Sequence, residues 1–373
     1  MDTKRVLVIN CGSTSTKLAI FEDERKVSET TLRMDSAKTK DMFYINDQLP
    51  ERMEQVESFI RESGMDMGSI DIIASRGGPF PPTKSGAYWV NQLMADVAHY
   101  APNFEHASAL SCQIARKLSL EYGIPAVMYD SISTDEMPEV SKTTGIAGVR
   151  RSSGGHVLNV RACARKVAGD MGIDFNEGRF VVAHLGGGIS VTTVDRGLIT
   201  DSTYHVMTPE RMGDMLHGDV VDLCFGGKFT EKELRKFSLG SGGFVSHLGT
   251  SDALEVENRA LAGDEKAMLM YDVMAYQLAK AVGAMVTVVD SEPDAVIFTG
   301  ALARSDLLME KTLRRIEKLK LNIVKIPGEM EMEALAGGAL RVLRGEEEAH
   351  VYNVLPEKYQ DEAAFYAAFP EAK

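Results

Sequence analysis

The stretch V-L-V-I-N-C-G-S-T-S-T-K-L-A-I-F, residues 6–21, decides the fold of this chain. A β-branched apolar run leads into a turn of small polar residues and a second apolar run leads out of it, which predicts strand, turn and strand. A Walker-type phosphate loop needs its lysine at the start of a helix, whereas Lys17 starts an extended run. The turn is therefore either a phosphate site built from N–H groups, hydroxyls and Lys17 or an ordinary hairpin with a polar tip. On the first interpretation the nucleotide ligands are Asn10, Gly12, Ser13, Thr14, Ser15 and Lys17.

A second stretch repeats this design in the other half of the chain. Residues 180–194 read F-V-V-A-H-L-G-G-G-I-S-V-T-T-V, and the tight turn Asp195-Arg196-Gly197 follows them. Aligning Gly12 with Gly186, an offset of 186 − 12 = 174 residues, places His184 opposite Asn10. Two glycine-bearing hairpins of this kind favour a duplicated domain with two phosphate cradles that face each other across a cleft.

The rest of the chain alternates predicted helices and strands, which is typical of an α/β protein. Apolar periodicity predicts helices at 48–63, 105–122, 160–171, 267–289 and 332–344, and strands at 70–74, 126–129, 295–299 and 323–326. Arg76 and Asp130 follow shortly after two of these strands, at the end where ligands bind in α/β sheets. Mixed polarity and Pro138 place a domain crossover within 130–151, and the charged tail after Gly345 is expected at the surface.

Composition limits the compartment and the partners. The chain has 373 residues, enough for two cores, and no apolar run approaches membrane-spanning length. The first residues have no signal-peptide profile and the four cysteines show no metal or redox spacing, so we expect a cytoplasmic protein with free buried thiols. A net charge of −13 argues against nucleic-acid and membrane partners. An anionic nucleotide or carboxylate would then need local arginines and a divalent metal.

Eight motifs along the chain are similar to those of one enzyme family. They are I-N-C-G-S-T-S-T-K, S-R-G-G, E-H-A-S, V-A-H-L-G-G-G-I-S-V, T-P-E-R, G-D-E-K-A, A-V-I-F-T-G and A-L-A-G-G-A-L-R-V-L-R-G-E-E. On these motifs the chain resembles the acetate and butyrate kinase family, and most of all the butyrate or branched-chain fatty acid kinases. The resemblance extends from Val6 to Arg344.

The resemblance implies an α/β fold of two duplicated actin-like ATPase domains, which are ribonuclease H-like, facing across a nucleotide cleft. The N-terminal domain would comprise residues 1–150 together with about 341–373, and the C-terminal nucleotide-binding domain residues 151–340. The implied activity is the reversible, ATP-dependent phosphorylation of a short-chain fatty acid, with butyrate favoured, to an acyl phosphate. ATP or ADP and Mg²⁺ would be the cofactors, and a dimer or larger homo-oligomer the assembly.

Arginine is the side chain best suited to aligning a carboxylate with a phosphoryl group, because its planar fork grips two oxygens and stays charged. Such a transfer needs no covalent nucleophile from the protein. Judged by local sequence, Arg76 favours an ordinary surface salt bridge, and Glu210 could simply neutralise Arg211. The resemblance instead implies that Arg76 and Arg211 clamp the carboxylate and the transferring phosphoryl group.

Three further residues are catalytic or substrate-binding candidates. Asp130 at a strand tip could orient the substrate, hold a metal-associated water or merely support a turn. A lone histidine is usually structural, so His156 and His106 rest on the resemblance, which implies that His156 stabilises transition-state charge and that His106 shapes the acyl site.

The resemblance also implies the metal and nucleotide ligands. Magnesium prefers few protein oxygens and several waters, and Asn10 and Glu331 match the family's metal contacts, with Glu329 and Glu333 leaving the register open by two residues. Gly300 would lie against the adenosine. The phosphates would be held by His184, Gly186, Gly187 and Gly188.

Three departures from the family pattern lie near these sites. Gly154-Gly155 replaces bulkier residues before His156, the segment 201–209 is shorter than in the family, and Ala301 stands where a second glycine is usual. The first two lie near the implied acyl site, so chain-length preference does not transfer. The alternatives are a sugar-kinase-like phosphotransferase, with Asp130 as general base, and a nucleotide-binding protein of low turnover.

Overall fold

The computed structural model of the protein describes residues 3–13, 15–34, 44–104, 106–203 and 205–372. The chain forms two compact units. The first consists of Met1–Glu136 together with Met330–Lys373, and the second of Met137–Glu329. Two residues named above, Thr14 and Glu105, lie outside the described part of the chain.

Twelve strands build the two sheets of the described residues. In chain order they are β1 (Arg5–Cys11), β2 (Ser15–Glu22), β3 (Arg25–Arg33), β4 (Ile72–Arg76), β5 (Ala87–Trp89), β6 (Ala126–Tyr129), β7 (Arg179–Leu185), β8 (Ile189–Asp195), β9 (Leu198–Thr203), β10 (Ala295–Gly300), β11 (Ile323–Pro327) and β12 (His350–Val351).

The α-helices of the described residues cover the sheets and the segments between them. In chain order they are α1 (Leu49–Ser63), α2 (Gln92–Tyr100), α3 (Ala109–Tyr122), α4 (Glu139–Lys142), α5 (Val157–Met171), α6 (His217–Phe225), α7 (Glu231–Leu239), α8 (Gly243–Leu248), α9 (Ala253–Leu261), α10 (Glu265–Val288), α11 (Asp306–Ile316), α12 (Glu331–Leu343) and α13 (Glu362–Ala368). Among these helices none is both long and apolar enough to cross a membrane.

Both units contain the same sheet arrangement, which explains the repeated hairpin in the sequence. The first sheet has the order β12-β5-β6-β4-β1-β2-β3 and the second β11-β10-β7-β8-β9. In each, an antiparallel three-strand meander (β1–β2–β3 or β7–β8–β9) lies beside parallel strands (β4 and β6, or β10 and β11). The two predicted hairpins are therefore confirmed, and they open equivalent sheets.

The strand register of the first unit determines where its polar side chains lie. Strands β1, β4 and β6 run parallel as neighbours, with Ile9 opposite Ser75 and Arg76 opposite Tyr129. Asn10, Arg76 and Asp130 therefore follow one another along the same edge of the sheet. Parallel strands end together, so three residues distant in sequence are brought to one place.

Apolar residues of the helices fill the core of each unit. In α10 the predicted stripe of Met270, Met274, Leu278, Val282 and Met285 is buried, as expected for a core helix. Predicted helix bounds were accurate to within about three residues, except that α3 begins at Ala109 rather than near residue 105. Of the four cysteines, Cys224 is exposed, so the expectation of buried thiols is wrong there.

The expected surface location of the C-terminal tail is wrong for its aromatic residues. Tyr352 and Phe365 are 1% and 0% exposed and belong to the core of the first unit. The tail also adds the short edge strand β12 beside β5. The many charged residues of the tail favoured a surface location, whereas a few apolar side chains pack it against the core of the first unit.

Candidate active site

Arg76, Asn10 and Glu331 form a hydrogen-bonded cluster at the edge of the first unit's sheet. Arg76 Nη1 donates to Asn10 Oδ1 at 3.2 Å and to Glu331 Oε2 at 3.4 Å, and Nη2 lies 3.3 Å from Glu331 Oε1. Asn10 Nδ2 donates to Glu331 Oε2 at 2.8 Å. The Arg76 Nε hydrogen is buried and has no acceptor among the described residues. Two side chains thus orient the guanidinium, and its Nε–H donor has no hydrogen-bond partner among the described residues.

The cluster distinguishes Glu331 from its neighbour Glu333 in the first turn of α12. Glu331 is the first residue of α12, is 8% exposed and contacts Asn10 and Arg76. Glu333 instead makes an ion pair with Lys26 at 3.0 Å on a partly exposed face. Only Glu331 of these two carries its charge toward the sheet edge, because two residues correspond to more than half a helical turn.

The two glycines after Arg76 serve the packing of the protein itself. A methyl group on Gly77 would lie 2.7 Å from Ser131 Cβ, and one on Gly78 would lie 2.7 Å from the Cα of Ala109. These are contacts that only glycine permits. Both glycines therefore make room for the start of α3 and for the residues at the end of β6.

Asp130 has a structural contact at the tip of β6. Its backbone adopts the left-handed conformation with φ of 43°, which is uncommon for a residue other than glycine. The side chain is 3% exposed, and Oδ1 accepts a hydrogen bond from the Gly86 amide at 2.8 Å. Turn support is thus one role of Asp130.

His106 lies in the positive field of two arginines. The Ser108 amide donates to His106 Nδ1 at 3.2 Å, which leaves the proton of the neutral ring on Nε2. Burial first, and then the charges of Arg76 and Arg52, hold the pKa of His106 below its usual value. The imidazole is therefore neutral at pH 7 and can donate one hydrogen bond.

The turn of the first hairpin is held from below by an arginine that sequence reasoning missed. The Gly12 amide donates to Ser15 O at 2.8 Å, and Lys17 lies opposite Asn10 in the β1–β2 register. Ser13 is exposed at the tip. Arg52 of α1, fully buried, donates to Gly12 O at 2.9 Å. Its position on the buried face of a helix, three residues after Leu49 and four before Val56, was the signal in the sequence.

The second unit brings Arg211 to the glycine turn between β7 and β8. A methyl group on Gly188 would lie 2.7 Å from Arg211 Nη2, and one on Gly186 would lie 3.1 Å from His184 Nε2. The turn itself is closed by a hydrogen bond from Gly186 N to Gly188 O at 3.0 Å. Backbone N–H groups, an arginine and a histidine therefore surround one small turn, as an anion site requires.

Two hydrogen-bonded contacts fix the segment that carries Arg211. Thr208 Oγ1 donates to Gly187 O at 2.8 Å. On its other side Gly242 N donates to Glu210 O at 3.0 Å, and a methyl group on Gly243 would clash with Thr208 O. Gly242 and Gly243, at the start of α8, thus support the segment that carries Arg211. Sequence reasoning did not select these two glycines.

His156 and His184 stack face to face in the second unit. Their ring centroids are 3.7 Å apart and the planes differ by 10°. The Asn159 amide nitrogen lies 3.0 Å from His184 Nδ1, so the neutral ring carries its proton on Nε2, toward Gly186. The stack therefore places an imidazole from the residue before α5 against one from β7, beside the glycine turn.

Gly300 at the end of β10 allows close backbone contact beside the same turn. Its φ is +90°, and a methyl group would lie 2.3 Å from Leu185 O. The residue exchanges hydrogen bonds with Gly328 at 2.8 and 2.9 Å. Glycine is required here by the protein's own packing next to the glycine turn.

The two unusual segments of the second unit contact each other. Arg151 Nη2 lies 2.6 Å from Asp201 Oδ1 and donates to Ser202 O at 3.0 Å, which links the start of the 151–156 segment to β9. Gly155 has a φ of +124°, which favours glycine. The Gly154-Gly155 pair before His156 and the segment that follows Asp201 therefore lie in one region of the second unit.

Comparison with known proteins decides the family. The model of the acetokinase family matches residues 89–337. A probable butyrate kinase 2 from Caldanaerobacter subterraneus subsp. tengcongensis is 39% identical over 352 residues, covering 93% of this chain and 99% of the relative. The chain belongs to the acetokinase family. The chain is also 37% identical over 353 residues to butyrate kinase 2 of Clostridium acetobutylicum, again covering 93% of this chain and 99% of the relative.

A solved structure confirms the fold of the chain. The acetate kinase of Porphyromonas gingivalis superposes with a TM-score of 0.76 at 19% identity, covering 91% of this chain and 100% of that chain. Together with the equivalent sheets, this likeness confirms the predicted class, a duplicated α/β fold of the actin-like type.

No group of three or more His, Cys, Asp or Glu side chains with metal-binding geometry occurs among the described residues. The donors at the sheet edge are instead one amide oxygen and one carboxylate, at Asn10 and Glu331. Hard oxygen donors in this small number fit Mg²⁺ that keeps most of its waters. Both Glu331 oxygens already face Arg76 or Asn10, so a contact through water fits better than direct ligation.

Proposed function

We propose that this protein transfers the terminal phosphoryl group of ATP to a short-chain fatty acid, with butyrate as the favoured substrate. The observation that carries the proposal is the position of Arg76. Asn10 and Glu331 hold its guanidinium at the sheet edge, and its Nε hydrogen has no acceptor among the described residues. The relatives that support butyrate as acceptor are named as butyrate kinases and cover nearly the whole chain at 37% and 39% identity.

In the proposed reaction a carboxylate oxygen of the acid attacks the γ-phosphorus in line. A new P–O bond forms, the bond between the γ-phosphorus and the bridging oxygen of ADP breaks, and the electron pair leaves with ADP. No side chain needs to become a nucleophile, so the protein's task is alignment and charge stabilisation. The reverse reaction uses the same groups.

The first unit supplies the acid-binding arginine and its supports. Arg76 binds substrate oxygens, while Glu331 and Asn10 keep its fork in one orientation. Neutral His106 lies close enough to Arg76 to feel its charge and donates from Nε2 toward the acyl group. Asp130, which also supports the turn at Gly86, orients the substrate.

The second unit supplies the phosphate-binding groups. The turn 186–188 offers backbone N–H donors, His184 points Nε2 toward Gly186, and Arg211 lies against Gly188. We assign Arg211 to the transferring phosphoryl group and His156 to the charge that develops on it. Gly300 contacts the adenosine. Gly12, Ser13, Thr14, Ser15 and Lys17 provide further phosphate ligands from the first unit.

Magnesium would be held by Asn10 and Glu331, chiefly through water. When bound, the ion neutralises charge on the nucleotide phosphates. The role of the protein in this is to present one carboxylate and one amide oxygen on rigid elements, β1 and the first turn of α12.

We further propose a cytoplasmic homo-oligomer. Support for an oligomer comes from exposed apolar side chains of the second unit, where Leu216, Phe225 and Leu239 are 74%, 86% and 72% exposed. The cysteines of the described residues are free, which suits a reducing compartment. Light scattering at several protein concentrations tests the assembly, and a monomer at all of them would refute it.

The predicted domains, residues 1–150 with 341–373 and residues 151–340, remain a prediction about halves that fold independently. The compact units give fragments for testing it, cut after Glu136 and Glu329. Cooperative unfolding of the isolated fragment 137–329 would support separate domains, whereas an unfolded fragment would contradict them.

An acyl hydroxamate assay with ATP and Mg²⁺ tests the proposed function. Acetate, propionate, butyrate, isobutyrate and longer acids are compared with a panel of sugars in a coupled ADP-release assay. We expect acyl phosphate from one or more short acids, with butyrate best. ADP release with sugars alone would instead support a sugar kinase, and tight ATP binding without product would support a nucleotide-binding protein of low turnover.

A further inference from the structure

We propose that Arg52 is a positioning residue for nucleotide binding, because it fixes the first hairpin turn from beneath with a buried positive charge; this rests on the proposed use of ATP. Arg52 lies in α1, and its side chain is fully buried. A fully buried arginine is uncommon and requires partners for its donors.

All five N–H donors of Arg52 are used. Nη2 donates to Gly12 O at 2.9 Å and Nη1 to Ser15 O at 3.1 Å, so the guanidinium binds both ends of the turn. Nη1 also donates to Thr16 Oγ1 at 3.1 Å. Nε and Nη2 donate to Gln48 Oε1 at 3.1 and 2.8 Å. This geometry uses the whole planar fork, which lysine could not reproduce.

The four oxygens that accept these five hydrogen bonds are all uncharged. Among the described residues no carboxylate lies within ion-pairing distance of Arg52. A buried charge without a counterion is costly, whereas Arg76 has the carboxylate of Glu331 as its partner. The cost is lowered when an anion binds nearby, and a phosphate at the turn would be such an anion.

The carbonyl contacts also determine the direction of the turn's N–H groups. In a planar trans peptide the C=O and the following N–H point in opposite directions. Since Gly12 O points inward to Arg52, the Ser13 N–H points outward, where Ser13 is exposed. The arginine therefore aims a backbone donor toward the position at which a phosphate would bind.

The positive charge of Arg52 is felt by its neighbours. It contributes to holding the pKa of His106 below its usual value, and it opposes the increase that burial produces in the pKa of Cys11. Both effects are those of a charge that no carboxylate neutralises. The same field would attract a nucleotide phosphate at the turn above it.

The helix face that carries Arg52 is built for this purpose. Gln48, Arg52 and Gln55 are spaced four and three residues apart and therefore share one face of α1. Gln55 Oε1 accepts from Thr16 Oγ1 at 2.7 Å, so the hydroxyl that binds Arg52 is itself fixed. Polar residues at these positions connect the helix to the turn, whereas Val56 and Ile60 attach it to the core.

The test compares Arg52→Gln and Arg52→Lys with the unmodified chain and with Arg341→Gln as a matched control. Arg341 is an arginine of the same unit, but it binds Tyr129 and Glu347 rather than the turn. The measurements are the Kd of ATP by calorimetry, the KM values for ATP and for butyrate, and the melting temperature. Hydrogen exchange of the peptide containing residues 12–17 reports on the turn without turnover.

We expect Arg52→Gln to raise the Kd and KM for ATP about 10- to 100-fold, the usual effect of losing a charge-assisted hydrogen bond network. The KM for butyrate should change less than about twofold, and exchange at the turn should become faster. Arg52→Lys, which keeps the charge but not the fork, should fall between Gln and Arg. Arg341→Gln should lower the melting temperature without a selective change in ATP binding.

Unchanged ATP affinity in folded Arg52→Gln, or equal losses in Arg52→Gln and Arg341→Gln, would overturn the proposal. If Arg52→Gln does not fold, Arg52→Lys decides by the same comparison of the KM for ATP with that for butyrate. Failure of the unmodified chain to bind ATP would refute the proposed function and this inference together. Normal binding and turnover with an unaffected Arg52→Gln variant would refute this inference alone.

Discussion

Substitution of Gly188 by alanine tests whether the glycine turn and Arg211 act together. The added methyl group would lie 2.7 Å from Nη2 and 2.8 Å from both Cζ and Nη1 of Arg211, whereas ordinary contact begins at 3.4 Å. The guanidinium must therefore retreat by about 0.7 Å, from 3.4 − 2.7. Backbone strain is not involved, since Gly188 is not among the residues with positive φ.

The size of the effect follows from that displacement. Moving a positioning group by about 1 Å costs about 100-fold in rate, so we expect kcat/KM to fall about 10- to 100-fold, or about 1.4–2.7 kcal/mol of transition-state stabilisation. The free energy of unfolding should fall by less than about 1.5 kcal/mol, because the tip of a partly exposed arginine can move.

The assay is acyl hydroxamate formation across ATP and butyrate concentrations, with denaturant unfolding for stability. Gly283→Ala in α10 of the same unit is the matched control, because its methyl group would have no neighbour within 4 Å outside the backbone of its own helix. We expect less than about a threefold loss in that control. Equal losses in both variants, or full activity in Gly188→Ala, would refute the coupling of the turn to Arg211.

Three further predictions concern stability and pH. Gly77→Ala should lower the free energy of unfolding by about 1–3 kcal/mol because its methyl group would clash with Ser131; Gly145→Ala, with nothing within 4 Å, is the control in denaturant titrations, and equal stability of the two variants would contradict the packing role. Phe365→Ala should cost about 3–5 kcal/mol by the same measurement, since Phe365 is 0% exposed, and a loss under about 1 kcal/mol would mean that the tail is not part of the core. Because the pKa of His106 is lowered in the folded state, the unfolded state binds more protons near pH 6. The free energy of unfolding should therefore fall as the pH drops below the ordinary histidine pKa of about 6.5, and His106→Gln should weaken that dependence. The same pH profile of unfolding in His106→Gln and in the unmodified chain would exclude this contribution of His106.

Much of the fold could be predicted because its signals are local. The two hairpins, the helix α1 ending at Gly64 and the long helix α10 follow from periodicity and turn residues that neighbours in sequence supply. Strand-end positions also indicated that Arg76 and Asp130 belong to one sheet edge. These inferences need only the rule that parallel strands end together.

The rest depended on contacts between distant segments. An arginine on an amphipathic helix is usually solvent-exposed, so the burial of Arg52 under the turn became evident only with coordinates. The choice of Glu331 over Glu333 depends on where α12 begins, which is the least predictable property of a helix. The packing role of Gly77 and Gly78 was not evident, because a glycine that admits a ligand and one that admits a neighbouring helix look the same in sequence.

The proposed phosphoryl transfer depends most on the alignment of a carboxylate with the terminal phosphate of ATP by Arg76. The direct measurement is the rate of acyl phosphate formation from ATP and butyrate by the unmodified chain and by Arg76→Ala, with Arg341→Gln as the control for loss of another arginine. We predict measurable product from the unmodified chain, a loss of about 1000-fold or more in Arg76→Ala and less than about tenfold in the control. No acyl phosphate from any short acid, or an Arg76→Ala variant as active as the unmodified chain, would contradict the account.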